Sequence, residues 1–224
     1  MKLNKYFVID FDSTFTKVEA FDVLAEISLH GHPEQHERVE KIKEITARGM
    51  DGSISFRESL EKRLTLLAPR KDHLPVLVEE LKELVSESFK RNREFFHTFS
   101  DNIYIISNGF REFIIPIVIE YGIKADNVLA NDFRFNEDGH IVGFDENNPL
   151  SANNGKVEQL KKLNLPGDVY VIGDGYTDYE MKKAGLANKF YAFTENVERE
   201  SIIDKADHIT PSLDEILYLN KLNT

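Results

Sequence analysis

Asp10 and Asp12 stand one residue apart in V-I-D-F-D-S-T-F-T, residues 8–16, where an apolar run gives out. Two like charges at such a point suit a reaction that needs carboxylates in different protonation states. Asp10 would serve as an ionised nucleophile, and Asp12 would alternate as proton donor and acceptor. Neighbouring carboxylates titrate as a coupled pair, so one can stay protonated beside a charged partner. In an extended segment, residues two apart face the same side, which would aim both groups at one place. A solvated acidic turn, with Ser13 or Thr14 capping a helix, accounts for the same residues without chemistry.

A second acidic cluster, G-D-G-Y-T-D at residues 173–178, supplies Asp174 and Asp178. Carboxylates gathered without basic neighbours favour a hard cation such as Mg²⁺, which takes oxygen ligands and often binds phosphate at the same time. Thr177 and Glu180 also fit a helix capping box, which would explain Asp178 as a first-turn acid but gives no reason for Asp174. S-N-G, residues 107–109, can hold an anion with a hydroxyl and backbone N–H groups at a strand-to-helix turn. Lys156 opens an apparent helix, where a cation is disfavoured by the helix dipole, so an anionic partner is expected beside it. Two phosphate-binding signatures are absent. N-G-K-V has Leu150 and Val157 where a P-loop needs glycine and Ser/Thr, and Asp178 stands where a dinucleotide fingerprint needs its third glycine. The seven histidines form no metal-binding spacing.

These groups need elements to bring them together. The apolar runs 6–9, 103–106, 169–172 and 190–193 read as strands buried on both faces and alternate with helical patterns. The expected fold is therefore α/β, a Rossmann-like parallel sheet flanked by helices, with D-F-D, S-N-G and G-D-G meeting beyond the carboxyl ends of the strands. Residues 17–92 lack strand patterns and exceed what a crossover requires, so they are read as an inserted small helical cap. The core domain would then comprise residues 1–16 and 93–224. Thr16 with Glu19 and Ser55 with Glu58 fit capping boxes within the cap. Phe56, Leu60, Leu64 and Leu67 follow at helical spacing, as do Leu77, Leu81, Leu84 and Val85. Alternation on either side of N-E-D-G in residues 133–144 predicts a β-hairpin.

The net charge is −11, from 39 acids against 28 bases, and no Lys/Arg cluster offers a basic stripe, so no nucleic-acid partner is expected. The first apolar run is too short for a signal peptide, and no run approaches the roughly 20 residues that span a bilayer. No membrane partner is expected. The absence of cysteine excludes disulfides and zinc thiolates and is compatible with a cytoplasmic location. Oligomeric state leaves no signal.

In order, D-F-D-S-T, S-N-G, Lys156 and G-D-G-Y-T-D resemble the four signature motifs of the haloacid dehalogenase-like phosphatase superfamily over nearly the whole chain. The resemblance implies that Asp10 attacks phosphorus to form an aspartyl phosphate, while Asp12 protonates the leaving oxygen and later activates water. It also implies Mg²⁺ held by Asp10, the Asp12 carbonyl and Asp174, with Asp178 in support, and phosphoryl oxygens held by Ser107 and Lys156, with Asn108 and Gly109 among the substrate-binding residues. The cap resembles that of the phosphoserine phosphatase family, which implies Glu19, Met50, Phe56 and Arg63 as substrate contacts and O-phospho-L-serine as the small phosphorylated partner. The second motif departs from that family at Asn108, where glycine is usual. Rival expectations are a phosphatase for another metabolite, such as a methionine-salvage sugar phosphate, a phosphotransferase, and a non-catalytic ligand-binding homologue. The regulatory amino-acid-binding extension of some relatives is expected to be absent.

Overall fold

In the computed structural model, residues 4–50 and 53–222 are described. Eight strands and eleven α-helices lie along them. Strand β1 (Lys5–Ile9) is followed by helices α1 (Ala20–Ser28), α2 (Gln35–Met50), α3 (Phe56–Leu66), α4 (His73–Glu83), α5 (Glu87–Arg91) and α6 (Arg93–Thr98). Next come β2 (Ile103–Phe110), α7 (Arg111–Val118), β3 (Val128–Asn131), β4 (Phe133–Phe135), β5 (Ile141–Phe144) and α8 (Gly155–Leu163). The chain ends with β6 (Asp168–Gly173), α9 (Tyr176–Lys183), β7 (Lys189–Phe193), α10 (Glu200–Ile203), β8 (His208–Thr210) and α11 (Leu213–Asn220).

Six strands form one parallel sheet in the order β3-β2-β1-β6-β7-β8, and β4 pairs with β5 as a separate antiparallel hairpin. The four apolar runs lie in β1, β2, β6 and β7, as expected for strands that bury both faces. Phe7, Ile9, Ile105, Ile172 and Phe193 pack into one apolar cluster, and Val8, Ile106, Val171 and Ala192 into another on the opposite face. The period-2 alternation of strand side chains produces this division. Strands β3 and β8 were not anticipated, because V-L-A-N and H-I-T are too short and too polar to stand out.

The order reverses at β1, which lies between β2 and β6, and that reversal opens a crevice at the strand carboxyl ends. Between β1 and β2 the described elements are all helical. Thr16 pairs with Val85 in an antiparallel bridge, and Lys17 N–H donates to Leu84 O (2.8 Å), so the two ends of this segment are stitched together. Its apolar side chains, including Phe21, Leu24, Ile42, Leu60 and Leu77, belong to the same continuous cluster as one face of the sheet. Among the described residues, no helix is long and apolar enough to cross a membrane.

Local signals fared unevenly. Ser55 caps α3 by accepting the Glu58 N–H, whereas the Thr16–Glu19 box does not form. Thr16 is committed to the bridge, α1 begins only at Ala20, and Glu19 turns its side chain to Ser13. The Thr177–Glu180 box is also absent. Helix α9 begins at Tyr176, and Asp178, in its third position, accepts the Gly175 N–H (3.2 Å).

Candidate active site

Immediately after β1 the chain leaves the extended form. Phe11–Phe15 makes a tight turn closed by Thr16 N–H on Phe11 O (2.9 Å), with Asp12 extended and Ser13 left-handed at φ 55°. The expectation of a strand-like D-F-D is therefore corrected. Asp10 and Asp12 reach the same cavity through a turn, not through strand alternation. S-N-G likewise lies inside the bulged end of β2, where the register shifts between Ile106 and Phe110, and not in a loop beyond the strand. A bulge re-aims side chains at a strand end. Ser107 is buried there and accepts the Gly109 N–H (2.9 Å).

The cavity at the reversal point has a volume of about 920 Å³, and its wall includes Asp10, Asp12, Ser107, Gly109, Lys156 and Asp174. Lys156, 3% exposed, places Nζ 2.7 Å from Asp10 Oδ2 and 2.8 Å from Asp178 Oδ1. Burial alone would lower its pKa, but the two carboxylates outweigh burial and hold it above the ordinary lysine value. Close backbone approach makes this placement possible. A Cβ on Gly155 would lie 2.2 Å from Pro149 O, and one on Gly173 would lie 2.2 Å from Asp178 Cγ. Either methyl would push apart the lysine and the carboxylates it joins.

Asp174 accepts the Thr14 hydroxyl (3.0 Å) through Oδ1 and the Arg199 Nε–H (2.8 Å) through Oδ2. One oxygen from each of Asp10, Asp174 and Asp178 lies within 4.8 Å of the others, a donor set suited to a hard divalent cation. Burial raises the carboxyls of Asp174 and Asp178, and the charge of Asp10 adds to the effect. Asp12 accepts the Ala20 N–H (2.8 Å), yet burial, then Glu19 and Asp10, push its pKa well up. Glu19 accepts the Ser13 hydroxyl (2.6 Å) and is raised to about 7, mainly by burial and by Asp174.

On the helical side, Phe56 and Arg63 of α3 line the same cavity as Glu19. Arg63 is buried, donates from Nε to Ser59 O (3.3 Å), and stacks its guanidinium 4.8 Å from the centre of the Phe21 ring. It is therefore no solvated helix residue. Met50 ends α2, and its side chain lies outside the described residues. Asn108 lines the cavity but spends its amide on Leu150 O (2.7 Å), while Asn131 donates to Asn108 O (2.9 Å). The extra side chain at this position thus ties β2 to the loop that precedes Lys156. Arg57 donates to Ser151 Oγ and Glu146 O (both 3.0 Å), and Phe56 N–H donates to Asn153 Oδ1 (3.1 Å), so α3 rests on that same loop.

Arg199 escaped the sequence reading. It joins Asp174 to Glu19, whose Oε1 lies 3.7 Å from Nη2, and it lines the cavity from the loop after β7. T-E-N-V-E-R matches no motif. The available signal was positional, since the loop follows an apolar run and must open on the same rim as the others.

Residues 7–183 match the family model of the haloacid dehalogenase-like hydrolases. The chain is 34% identical over 201 residues to the chloroplastic phosphoserine phosphatase of Arabidopsis thaliana, with 88% of this chain and 65% of that relative covered. It thus spans about two thirds of that protein's length. To the Homo sapiens phosphoserine phosphatase it is 32% identical over 209 residues, which covers 88% of this chain and 84% of the relative. A solved phosphoserine phosphohydrolase-like protein from Francisella tularensis superposes with a TM-score of 0.84 at 31% identity, over 96% of this chain and 99% of that one.

Proposed function

The chain belongs to the haloacid dehalogenase-like hydrolases, and on that premise we propose that it is a Mg²⁺-dependent phosphomonoesterase whose substrate is O-phospho-L-serine. The observation that carries the reading is the meeting of Asp10, Asp12, Lys156 and Asp174 in one cavity, with Asp12 biased toward its protonated form. The names of the relatives in Arabidopsis thaliana and Homo sapiens support the choice of substrate.

Asp10 attacks phosphorus, and the bond to the seryl oxygen breaks. Asp12 gives its proton to that oxygen, so serine leaves as the neutral alcohol and Asp10 carries the phosphoryl group. Asp12, now ionised, takes a proton from a water molecule that attacks the aspartyl phosphate, releasing phosphate and restoring both carboxyls. Lys156 and the Ser107 hydroxyl hold the phosphoryl oxygens, and the Gly109 N–H, which donates to Ser107 Oγ, orients that hydroxyl. Glu19 takes the substrate ammonium and Arg63 its carboxylate, with Phe56 against the small carbon skeleton. The helices within residues 17–92 act as the cap over the core formed by 1–16 and 93–224.

The oxygens of Asp10 and Asp174, supported by Asp178, suit Mg²⁺. When bound, the ion offsets charge on the phosphoryl oxygens. Arg199, already paired with Asp174, adds positive charge to the same wall. A cytoplasmic location agrees with the reading.

The test is a hydrolysis panel of O-phospho-L-serine, O-phospho-L-threonine, sugar phosphates and an aryl phosphate, with and without Mg²⁺, including Asp10→Asn. The expected result is highest kcat/KM on O-phospho-L-serine, dependence on Mg²⁺, and a folded but inactive Asp10→Asn protein. Release of phosphate from no ester, or full turnover by Asp10→Asn, overturns the reading.

A further inference from the structure

The turn that carries Asp12 is held from behind by one side chain. Asn196, in the loop after β7, places Nδ2 3.1 Å from Ser13 O, 3.3 Å from Thr14 O and 3.3 Å from Thr16 O. The same nitrogen lies 2.7 Å from Ser86 Oγ, and that hydroxyl donates to Thr14 O (2.6 Å). Two amide hydrogens are thus shared among four acceptors. Three carbonyl dipoles converging on one point repel each other unless a donor sits between them, and a buried acceptor left without one is costly.

The turn has a second reason to need support. Ser13 is held at φ 55°, a left-handed conformation that is unfavourable for an L-residue. Such a residue persists only where its surroundings over-determine it. Three carboxylates of the cavity depend on this backbone. Asp12 precedes Ser13, the Ser13 hydroxyl donates to Glu19 (2.6 Å), and the Thr14 hydroxyl donates to Asp174 (3.0 Å). The loop that presents Asn196 is itself anchored. Glu195 accepts the Ser88 N–H (3.0 Å), and Ser88 Oγ accepts the Leu213 N–H (2.9 Å), which links the loop to the starts of α5 and α11.

We propose that Asn196 is a positioning residue for phosphoryl transfer, with its amide clamping the Phe11–Thr16 turn so that the Asp12 carboxyl stays in line with the leaving oxygen. Ser86 is its partner in the clamp. The proposal rests on the reading under Proposed function, and it assigns to a loop outside the four motifs a share in the chemical step. Because the clamp acts on the phosphoryl end of the substrate, its loss lowers turnover, most for an alkyl ester whose leaving oxygen needs the Asp12 proton and less for an aryl ester, and leaves binding of the seryl end intact. Misplacing a reacting group by about 1 Å costs up to about a hundredfold in rate.

The experiment compares wild type, Asn196→Ala, Asn196→Asp and Ser86→Ala in kcat and KM on O-phospho-L-serine and on p-nitrophenyl phosphate with Mg²⁺. Rates are expressed per folded molecule, with the folded fraction read from circular dichroism at the assay temperature. Asn196→Ala is expected to lose about ten- to a hundredfold in kcat on O-phospho-L-serine and no more than that on p-nitrophenyl phosphate, with KM within about twofold on both. Asn196→Asp keeps the shape but turns an oxygen toward the three carbonyls, so it must be at least as impaired. A role in packing alone would leave it near wild type. Ser86→Ala, which keeps the amide, is expected to lose about three- to tenfold and covers the case in which the Asn196 variants do not fold. Unchanged kcat in Asn196→Asp or in Ser86→Ala, a loss carried by KM alone, or a loss larger on p-nitrophenyl phosphate than on O-phospho-L-serine overturns the proposal. A wild type that hydrolyses no ester overturns both this proposal and the reading beneath it, whereas an active wild type with active variants overturns this proposal alone.

Discussion

Replacing Lys156 with methionine keeps all but the last atom of the side chain's length and removes its charge from between two carboxylates. The lysine is 3% exposed and Asp178 is fully buried, with Asp10 only 12% exposed. Lys156 and Asp10 line the cavity but are largely shielded from solvent. Removing one partner of a buried pair costs roughly 3–5 kcal/mol, because the charge left behind is uncompensated. For a chain of this size each kcal/mol moves the midpoint of thermal unfolding by about 2–4 °C, so the expected drop is roughly 6–20 °C. The deficit depends on pH in a direction fixed by the carboxyls. Burial and Asp10 already raise Asp178, and Lys156 is among the groups that oppose them. Without the lysine its folded-state pKa rises further above the unfolded value. Such a group takes up a proton on folding, so it destabilises progressively as pH climbs from the unfolded pKa to the folded one. The deficit of Lys156→Met should therefore be small near pH ~4 and largest above neutrality. Calorimetric melts in metal-free buffer at several pH values measure it. Adding Asp178→Asn to Lys156→Met should recover part of the loss, as expected for residues in direct contact. A variant that melts within about 2 °C of wild type at pH ~8, or that shows the same deficit in acid, refutes the account of Lys156 as the offset for buried charge.

Arg63→Ala should lower kcat/KM for O-phospho-L-serine by roughly ten- to a hundredfold more than for an aryl phosphate, from the ~1.5–3 kcal/mol value of a hydrogen bond to a charged group. Equal losses on both would make its packing on Phe21 the whole of its role. Gly173→Ala drives a methyl into the Asp178 carboxyl and should cost at least about 1–3 kcal/mol, with loss of turnover. Denaturant melts that leave it within experimental error of wild type would contradict the close approach. Glu19, raised to about 7 by burial and Asp174, takes up a proton on folding, so stability in metal-free buffer should fall as pH rises from about 4.5 to 7. Glu19→Gln should flatten that slope, and an unchanged pH profile would rule the assignment out.

Strands that bury both faces announced themselves as Y-F-V-I, I-Y-I-I, V-Y-V-I and F-Y-A-F, and their shared rim followed from chain order alone. Asp10, Asp12, Ser107, Lys156 and Asp174 were legible because each follows such a run or breaks a helix rule. What the sequence concealed was the means of assembly. D-F-D works through a left-handed serine, a conformation that favours glycine or asparagine and that S-T does not advertise. The tertiary bridge at Thr16 overrode a local capping signal that was correct in composition. Arg199 and Asn196 sit in a polar loop whose partners are more than twenty residues away along the chain, and no local pattern encodes such contacts.

The apolar interior that runs without a break from the sheet into the helices after β1 bears on how such a molecule can change over time. A helical segment with its own sealed core could be exchanged for another as a cassette. Here Leu24, Leu60 and Leu77 share their surroundings with Phe7 and Ile9, so a foreign segment would have to match that buried relief as well as the two stitched ends. New substrate preferences are thus more accessible by altering single side chains around the mouth of the cleft than by wholesale replacement of the helices above it.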